Sequence, residues 1–158
     1  MASTFAGSKI YIGTTLAAIN QSQFEADTYV EIKEVSNMGE FGSVANIVQF
    51  PTVSDDFVDK AKGTRNAGDP ALVVGRAPAD PGQVALRHAE TTKFKWNFKV
   101  EIADAVDEQH TNTVVYFRAL VAGSNIQTGG NEDFVTETYA LGIYPRPLII
   151  ESRAISSP

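Results

Sequence analysis

The chain has 158 residues and a net charge of −6, with 43% hydrophobic and 20% charged residues. These values are typical of a globular protein, so they exclude a disordered or collagen-like chain and predict a single domain over residues 1–158. The absence of cysteine excludes disulfides, thiol catalysis and cysteine-bound metals. The acidic charge excludes a protein that wraps nucleic acid by neutralising its phosphates.

Residues 1–27 are mainly small and polar, with isolated apolar residues at Leu16, Ile19 and Phe24. Such a segment lacks a continuous apolar face, so it is predicted to be an extended N-terminal arm that needs a partner surface. It begins without the basic and apolar regions of a secretory signal. No run of about 18 apolar residues is present that could span a membrane, and no membrane partner is expected.

A long charged loop is predicted at 51–70, after strands at 8–13, 29–36 and 44–50. Structureless loops of more than about 12–15 residues are uncommon in compact domains and are usually functional. Phe57 and Val58 stand among charges there, which indicates apolar anchors in a neighbouring subunit; the alternative is that Phe57 folds back onto its own domain. The predicted contacts between subunits or rings are Asp55, Asp56, Phe57, Val58, Asp59, Lys60, Lys62 and Arg65.

One α-helix is predicted at 81–91. Asp80 is a favourable N-cap, Pro81 suits the first helical position, and Gln83 stands three residues after the cap, as in a capping box. Gly82 weakens this helix by about 1 kcal/mol relative to alanine. The helix is expected to end near Thr91, where β-branched residues begin.

The second half of the chain is predicted to be rich in strands. The clearest lies at 93–102, where Phe94, Trp96 and Phe98 alternate with polar residues and are placed in the core. Others are predicted at 71–76, 113–122, 134–143 and 148–154, followed by a flexible tail at 154–158. The fold class is therefore mainly β, an antiparallel β-sandwich or barrel of about eight strands with one helix.

No catalytic, cofactor-binding or metal-binding site is predicted. His88 and His110 each lack the further nitrogen or sulfur ligands that a zinc site needs. Asp55, Asp56 and Asp59 do not follow the EF-hand pattern of a calcium loop. The glycine-containing segments match neither phosphate-binding fingerprint. The protein is expected not to be an enzyme.

An ordered series of short motifs then suggests a family. The segment at 29–35, Tyr-Val-Glu-Ile-Lys-Glu-Val, is followed by Gly-Glu-Phe-Gly at 39–42, Lys-Ala-Lys-Gly-Thr-Arg-Asn-Ala-Gly at 60–68 and Asp-Pro-Gly-Gln at 80–83. In this order the chain resembles the major tail protein, or tail tube protein, of long-tailed non-contractile bacteriophages. The resemblance covers roughly residues 8–153.

This resemblance implies a structural virion protein made in the cytoplasm of a bacterial host. It implies subunits that form hexameric rings, rings that stack into a hollow tail tube, and DNA that passes through the bore without sticking. The implied partners are copies of the chain itself and the tip or initiator, tape measure and terminator proteins of the tail. The loop at 51–70 and the terminal arms would reach between rings. The acids assigned to the bore are Glu31, Glu34, Glu132, Asp133 and Glu137.

Two other functions remain open from the sequence. One is a related tube of a gene transfer agent or a secretion system. The other is a β-sandwich module that binds a sugar or another ligand, which would need an exposed aromatic platform. Trp96 is the only tryptophan, and the alternation around it favours a position in the core over such a platform.

Overall fold

The described part of the chain is built mainly of β-strands. The structure is a computed structural model, and it describes residues 6–39, 44–50, 59–66, 70–144 and 146–155. The helices in these ranges are α1 (Gln21–Ala26) and α2 (Pro81–Glu90). The strands are β1 (Lys9–Ile12), β2 (Val30–Ile32), β3 (Val35–Asn37), β4 (Val44–Phe50), β5 (Asp59–Asn66), β6 (Ala71–Gly75), β7 (Trp96–Ile102), β8 (Thr113–Gln127), β9 (Thr136–Ile143) and β10 (Leu148–Ile150).

Eight of these strands form one antiparallel sheet that curls into a half-barrel. Its order is β2-β1-β7-β8-β9-β6-β3, and β10 pairs with β8 as an eighth strand. The long strand β8 joins two halves, because its first part pairs with β7 and β10 and its second part pairs with β9. The change from one half to the other falls at Ala119, and a register shift between Val121 and Gly123 follows within the β8–β9 pairing. The predicted mainly β fold is confirmed.

The main core lies on the face of the sheet that α2 covers. Alternate residues of the strands point there, and Phe98, Phe117 and Tyr139 are almost fully buried. The rings of Phe98 and Phe117 stack with centroids 5.2 Å apart. Leu86 and Ala89 of α2 belong to the same cluster. Burial of alternate residues on one face is the pattern that period-two hydrophobicity predicts.

The predicted helix is confirmed, and its first turn is packed more tightly than its sequence suggests. Asp80 is the N-cap, and its carboxylate accepts a hydrogen bond from the backbone N–H of Gln83. A Cβ atom at Gly82 would collide with the backbone of Glu31 and Ile32. Glycine is therefore required for the close approach of α2 to β2, which outweighs its poor helix propensity.

Gln83 does not complete a capping box. Its side chain is fully buried and bonds the backbone of three other residues. The amide nitrogen donates to the carbonyl oxygens of Lys33 and Gly75, at 3.0 and 2.9 Å, and the side-chain oxygen accepts from the N–H of Ala77 at 2.9 Å. Gln83 thus ties α2 to the chain on both sides of it and satisfies backbone groups that the sheet leaves unpaired.

The predicted N-terminal arm is wrong for most of its described length. Strand β1 lies inside the sheet between β2 and β7, and α1 packs on the sheet face opposite the main core. There Phe24 stacks on Tyr116 with centroids 5.4 Å apart, and Ala18 is buried beside them. The isolated apolar residues therefore cover the protein's own sheet, and the match between Phe24 and a ring about 90 positions later could not be read from local pattern.

Two further predictions about elements need correction. Phe94 is 66% exposed, because β7 begins only at Trp96 and Phe94 lies in a bend before it. The strand predicted at 29–36 is divided into β2 and β3 at Glu34, which has a positive φ of 62°. At the chain end, Ile155 donates its N–H to the carbonyl of Gln109 at 2.7 Å. The tail prediction thus fails at this residue, and 156–158 lie outside the described residues.

Candidate assembly surfaces

Strands β4 and β5 form a two-stranded antiparallel ribbon apart from the main sheet. The predicted loop at 51–70 is therefore wrong for residues 59–66, which form β5 and pair with β4 from Val44↔Asn66 to Phe50↔Asp59. Their high charge hid this strand, because strand prediction depends on apolar alternation. The ribbon contains Asp59, Lys60, Lys62 and Arg65 of the predicted contacts. Asp55, Asp56, Phe57 and Val58 lie outside the described residues.

One face of this ribbon is exposed and combines an apolar residue with two positive charges. Ile47 pairs with Lys62, and Gln49 pairs with Lys60. Because residues two apart on a strand point to the same side, these four side chains share one face. All four are exposed, and Ile47 is 67% exposed. We call this surface the ribbon face.

The ribbon is short of internal stabilisation. A lone two-stranded β structure is marginally stable at best in water, and stability usually requires further strands or a packed partner. The ribbon strands pair only with each other in the described sheet network. A neighbouring surface that covers Ile47 would therefore stabilise the ribbon.

A groove of about 590 Å³ lies at one end of the β3–β6 strand pair. Its lining includes Val35, Ala77 and Val135, with Glu34 and Arg76 as charged members and Phe134 at its side. Phe134 is 88% exposed, the largest exposed fraction among the large hydrophobic side chains described. We call this surface the Phe134 groove, and an aromatic ring so exposed marks a candidate contact site.

The acids next to Phe134 make this end of the molecule negative. Glu132 and Asp133 directly precede Phe134 and are exposed, and Glu34 is exposed in the groove lining. Asp133 also closes the turn between β8 and β9, because its carboxylate accepts the N–H of Gly130 at 2.8 Å. One carboxylate, that of Glu34, therefore lines the groove, and two more precede Phe134 in the adjoining turn.

Glu137 cannot be a bore-facing acid. Its side chain is 3% exposed and lies between two arginines, 3.7 Å from Arg76 and 3.5 Å from Arg87. On β9 it shares the core side with Tyr139, whose pKa is raised chiefly by burial and further by Glu137. The alternation of β9 places Glu137 inside, so the sequence prediction is corrected for this residue. Glu31, half-buried on β2, and the exposed Glu34, Glu132 and Asp133 keep their bore assignment as a prediction only.

The residues considered for chemistry are not brought together. His88 lies on α2 with its ring edge toward Trp96, at 5.8 Å between centroids, and His110 is paired with Asp107 at 2.7 Å. Within the described ranges, no group of three or more His, Cys, Asp or Glu residues could hold a metal ion. Nor do those ranges contain a helix of the length and apolar character that crossing a bilayer requires.

Trp96 does not form an exposed platform. It is partly buried against the main core, and its indole N–H donates to the hydroxyl of Thr92 at 3.0 Å. The alternation around Trp96 therefore correctly predicted that this side chain lies on the core side of β7. Among the phenylalanine and tyrosine side chains that the structure describes, the exposed ones are Phe94, Phe134 and Tyr144, which belong to three different connections or strand ends.

Sequence reasoning missed the Phe134 groove. A signal was present, since Phe134 and Val135 follow two glycines and two acids and are apolar in a polar turn region. The prediction assigned them to a strand instead. Strand β9 begins only at Thr136, so both residues precede it and stand at the surface.

Comparison with solved structures finds this fold in chains of tube assemblies. A chain of the SPP1 tail tube matches with a TM-score of 0.64 and 14% identity, over 94% of this chain and 78% of that chain. A chain of the PVC sheath/tube terminator, from an extracellular contractile injection system, matches with a TM-score of 0.65 and 12% identity, over 95% and 97%. A chain of the anti-feeding prophage baseplate, which was six-fold symmetrised, matches with a TM-score of 0.62 and 11% identity, over 96% of this chain and 98% of that chain.

A scan of protein-family models and a search of curated proteins found no match to this sequence. At 11–14% identity the structural matches establish the fold alone. They extend over 94–96% of this chain, so the fold as a whole is shared. The chain has the fold of chains found in phage tail tubes and in contractile injection assemblies.

Proposed function

We propose that this chain is a structural protein that assembles with copies of itself into the hollow tail tube of a phage virion. The observation that carries the proposal is the β4–β5 ribbon, which is separate from the half-barrel sheet and exposes Ile47 opposite Lys62, with Lys60 on the same face. An element that is marginal on its own suits a subunit that is completed by its neighbours. The fold shared with a chain of the SPP1 tail tube supports the same assignment.

The proposed assembly is a stack of hexameric rings. A tube requires heterologous contacts, in which two different surfaces of one subunit meet two neighbours. The ribbon and the Phe134 groove are two such surfaces. The six-fold symmetry of the baseplate in which a chain of this fold was solved supports six subunits in each ring.

The bore would pass DNA without holding it. On β6 and β9 the residues that face away from the core are uncharged, including Ala71 and Val73 on one strand and Thr138 and Ala140 on the other. A surface without lysine or arginine cannot neutralise phosphates, so it offers no electrostatic grip to DNA. The net charge of −6 acts in the same direction.

Assembly into a tail also implies where the chain is made and which proteins it contacts. The chain would be made in the bacterial cytoplasm and would reach its place in the virion tail by assembly. Its partners there would be tip or initiator, tape measure and terminator proteins. Matches to chains of a sheath/tube terminator and of a baseplate support contacts with such end components. The proposed role is structural and involves no catalysis or cofactor.

Electron microscopy of the purified and concentrated protein tests this function. Hollow rods or stacked rings in negative stain are the expected result, and end-on class averages would count the subunits in a ring. A concentrated protein that remains monomeric, including when added to isolated tail tips of the phage that encodes it, would contradict the proposal. The protein held at low concentration serves as the control for preformed aggregates.

A second candidate is the tube of a contractile injection system. The observation that favours it is that the TM-score with the PVC sheath/tube terminator chain, 0.65, equals that with the SPP1 tail tube within 0.01. Fold similarity therefore does not separate the two kinds of tube. Binding of a sheath protein to the assembled tube, measured by co-sedimentation, would favour the injection system, and tubes that carry no sheath would favour the non-contractile phage tail.

A further inference from the structure

The β4–β5 ribbon connects to one end of the β3–β6 strand pair, and the Phe134 groove lies at the other end. Strands β3 and β6 are antiparallel, with Val35 opposite Val74. The chain leaves β3 after Asn37 toward the ribbon and returns from the ribbon into β6 at Ala71. The groove is lined instead by Glu34 and by residues from Gly75 onward, at the other end of both strands. At about 3.3 Å per residue, β6 spans about 13 Å from its groove end to the end at which the ribbon connects.

The two surfaces are complementary in charge. The ribbon face presents Lys60 and Lys62, whereas the groove end presents Glu34, Glu132 and Asp133. Beside the groove, Glu137 lies 3.7 Å from Arg76 and 3.5 Å from Arg87, so this group leaves one positive charge unbalanced, and the three exposed acids outnumber it. Opposite potentials of this kind orient two surfaces and suppress wrong pairings.

They are also complementary in apolar character. Ile47 is 67% exposed and stands beside Lys62 on the ribbon. Phe134, at 88% exposure, and Val135, at 43%, stand at the side of a groove of about 590 Å³, which is large enough to receive a branched aliphatic side chain. An apolar anchor in such a pocket, with charges at the rim, is the usual anatomy of an energetically important contact.

We propose that the ribbon face of one copy docks into the Phe134 groove of the next copy, with Ile47 beside Phe134 and the two lysines against Glu34, Glu132 and Asp133. This inference rests on the proposed self-assembly and assigns the surface that receives the ribbon. It replaces the bore assignment of Glu34, Glu132 and Asp133, because carboxylates covered by a neighbouring copy do not face the bore. The ribbon connects to one end of the β3–β6 strand pair and the Phe134 groove lies at the other. A row of docked copies therefore has an unoccupied ribbon face at one end and an unoccupied groove at the other. The contact therefore propagates along the β3–β6 direction, as a heterologous contact does.

Cysteine cross-linking tests the contact directly. The chain has no cysteine, so Ile47→Cys and Phe134→Cys introduce the only thiols. Under mild oxidation, a mixture of the two single variants is expected to give cross-linked dimers between them. One chain that carries both substitutions is expected to give a ladder on a non-reducing gel. A cross-link confined to one molecule would overturn the inference, because the ribbon would then occupy its own groove.

Val106→Cys is the matched control for reactivity. Val106 is 73% exposed in the connection between β7 and β8 and belongs to neither surface. Its mixture with Phe134→Cys is expected to cross-link about tenfold less than the Ile47→Cys mixture. Equal yields from the two mixtures would show random collision and would overturn the inference.

Complementary variants give a second test that needs no covalent bond. Ile47→Asp disrupts the ribbon face, and Phe134→Asp disrupts the Phe134 groove. Both positions are exposed, so the fold should be kept. Each variant alone is expected to associate with itself at least about tenfold more weakly than the wild type. A mixture is expected to form a complex of one copy of each in sedimentation velocity, because the Phe134→Asp copy keeps its ribbon face and the Ile47→Asp copy keeps its Phe134 groove. Absence of that complex would contradict the contact.

The same experiments separate this inference from the proposed function. Tubes from the wild type with no selective cross-link would leave the tube function standing and overturn the docking site. A selective cross-link without tubes would support the docking site and count against the tube. The absence of both tubes and a selective cross-link would overturn both the tube function and the docking site. A Phe134→Asp variant that forms normal tubes would also overturn the docking site alone.

Discussion

The side-chain amide of Asn97 donates a hydrogen bond of 2.9 Å to the carboxylate of Asp27, although 70 residues separate them in the chain. The same amide donates to the carbonyl of Leu16 at 2.8 Å, and the oxygen of Asn97 accepts from Arg118 at 3.1 Å. Asn97 is fully buried. A single polar side chain on β7 thus fastens the segment before α1 to the middle of the sheet, on the face opposite the main core.

Asn97→Leu is expected to destabilise the protein by about 2 kcal/mol. Leucine has the same branched shape, although it is larger, and it cannot donate or accept, so the carbonyl of Leu16 and the charged groups of Asp27 and Arg118 lose a partner. The free energy of unfolding from urea denaturation measures this loss. Asn125→Leu on the exposed part of β8 is the control and is expected to change stability by less than about 0.5 kcal/mol. Equal effects at the two positions would contradict the role given to Asn97.

The Asp27 carboxylate makes this attachment sensitive to acid. Burial would raise its pKa, but hydrogen bonds from Thr14, Asn97 and Thr28 outweigh burial and hold the pKa below the ordinary value of 3.8. A pKa that is lowered by folding stabilises the native state above 3.8, and this contribution is lost as the pH falls through the folded pKa. The stability gap between wild type and Asp27→Asn is therefore expected to be largest near neutral pH and to shrink below pH 3.8. A gap that stays constant with pH would contradict this assignment.

Gly82→Ala is expected to destabilise the protein by about 2 kcal/mol, although alanine is the better helix former by about 1 kcal/mol. The new methyl group would collide with the backbone of Glu31 and Ile32 and push α2 away from β2. Thermal unfolding followed by circular dichroism would measure the change. Gly123→Ala is the matched control, since a Cβ there meets nothing within 4 Å, and a stabilised Gly82→Ala protein would show that the close approach does not exist.

Glu137→Leu is expected to cost about 3 kcal/mol, because it leaves Arg76 and Arg87 close together without the buried carboxylate between them. Removing one partner of a buried ion pair strands the other charges in a poorly solvated place. Chemical denaturation would quantify the loss. Glu132→Leu removes an exposed carboxylate of the same type and is expected to be nearly neutral for folding. Similar costs for both variants would place Glu137 at the surface after all.

Local sequence patterns predicted those elements whose signals lie within a few residues. The cap formed by Asp80 and Pro81 placed α2 to within one residue of its observed end. Alternation around Trp96 and Phe98 predicted β7 and the side of the sheet on which both rings lie. Both kinds of signal are local, because capping and strand pleat depend on near neighbours in the chain.

Long-range packing decided the features that local patterns predicted wrongly. Glu137 stands on the core side of β9, and a charged side chain is accommodated there because Arg76 and Arg87 arrive from other elements. Phe24 resembles a residue that awaits a partner subunit, yet Tyr116 provides its stacking surface within the chain. In each case the partner is distant in sequence, so the free energy that selects the arrangement has no local signature.

For the candidate assembly surfaces, too, some features could be predicted from local sequence and others depend on the tertiary structure. The charged character of residues 59–66 is plain in the sequence, and the prediction that Lys60 and Lys62 are contact residues rests on it. Their alignment with Ile47 on one face depends on the pairing register of β4 and β5, and the Phe134 groove exists only where β3, β6 and the start of β9 meet. Composition and alternation are properties of one segment, whereas a shared face or a groove requires segments held in register by hydrogen bonds between strands.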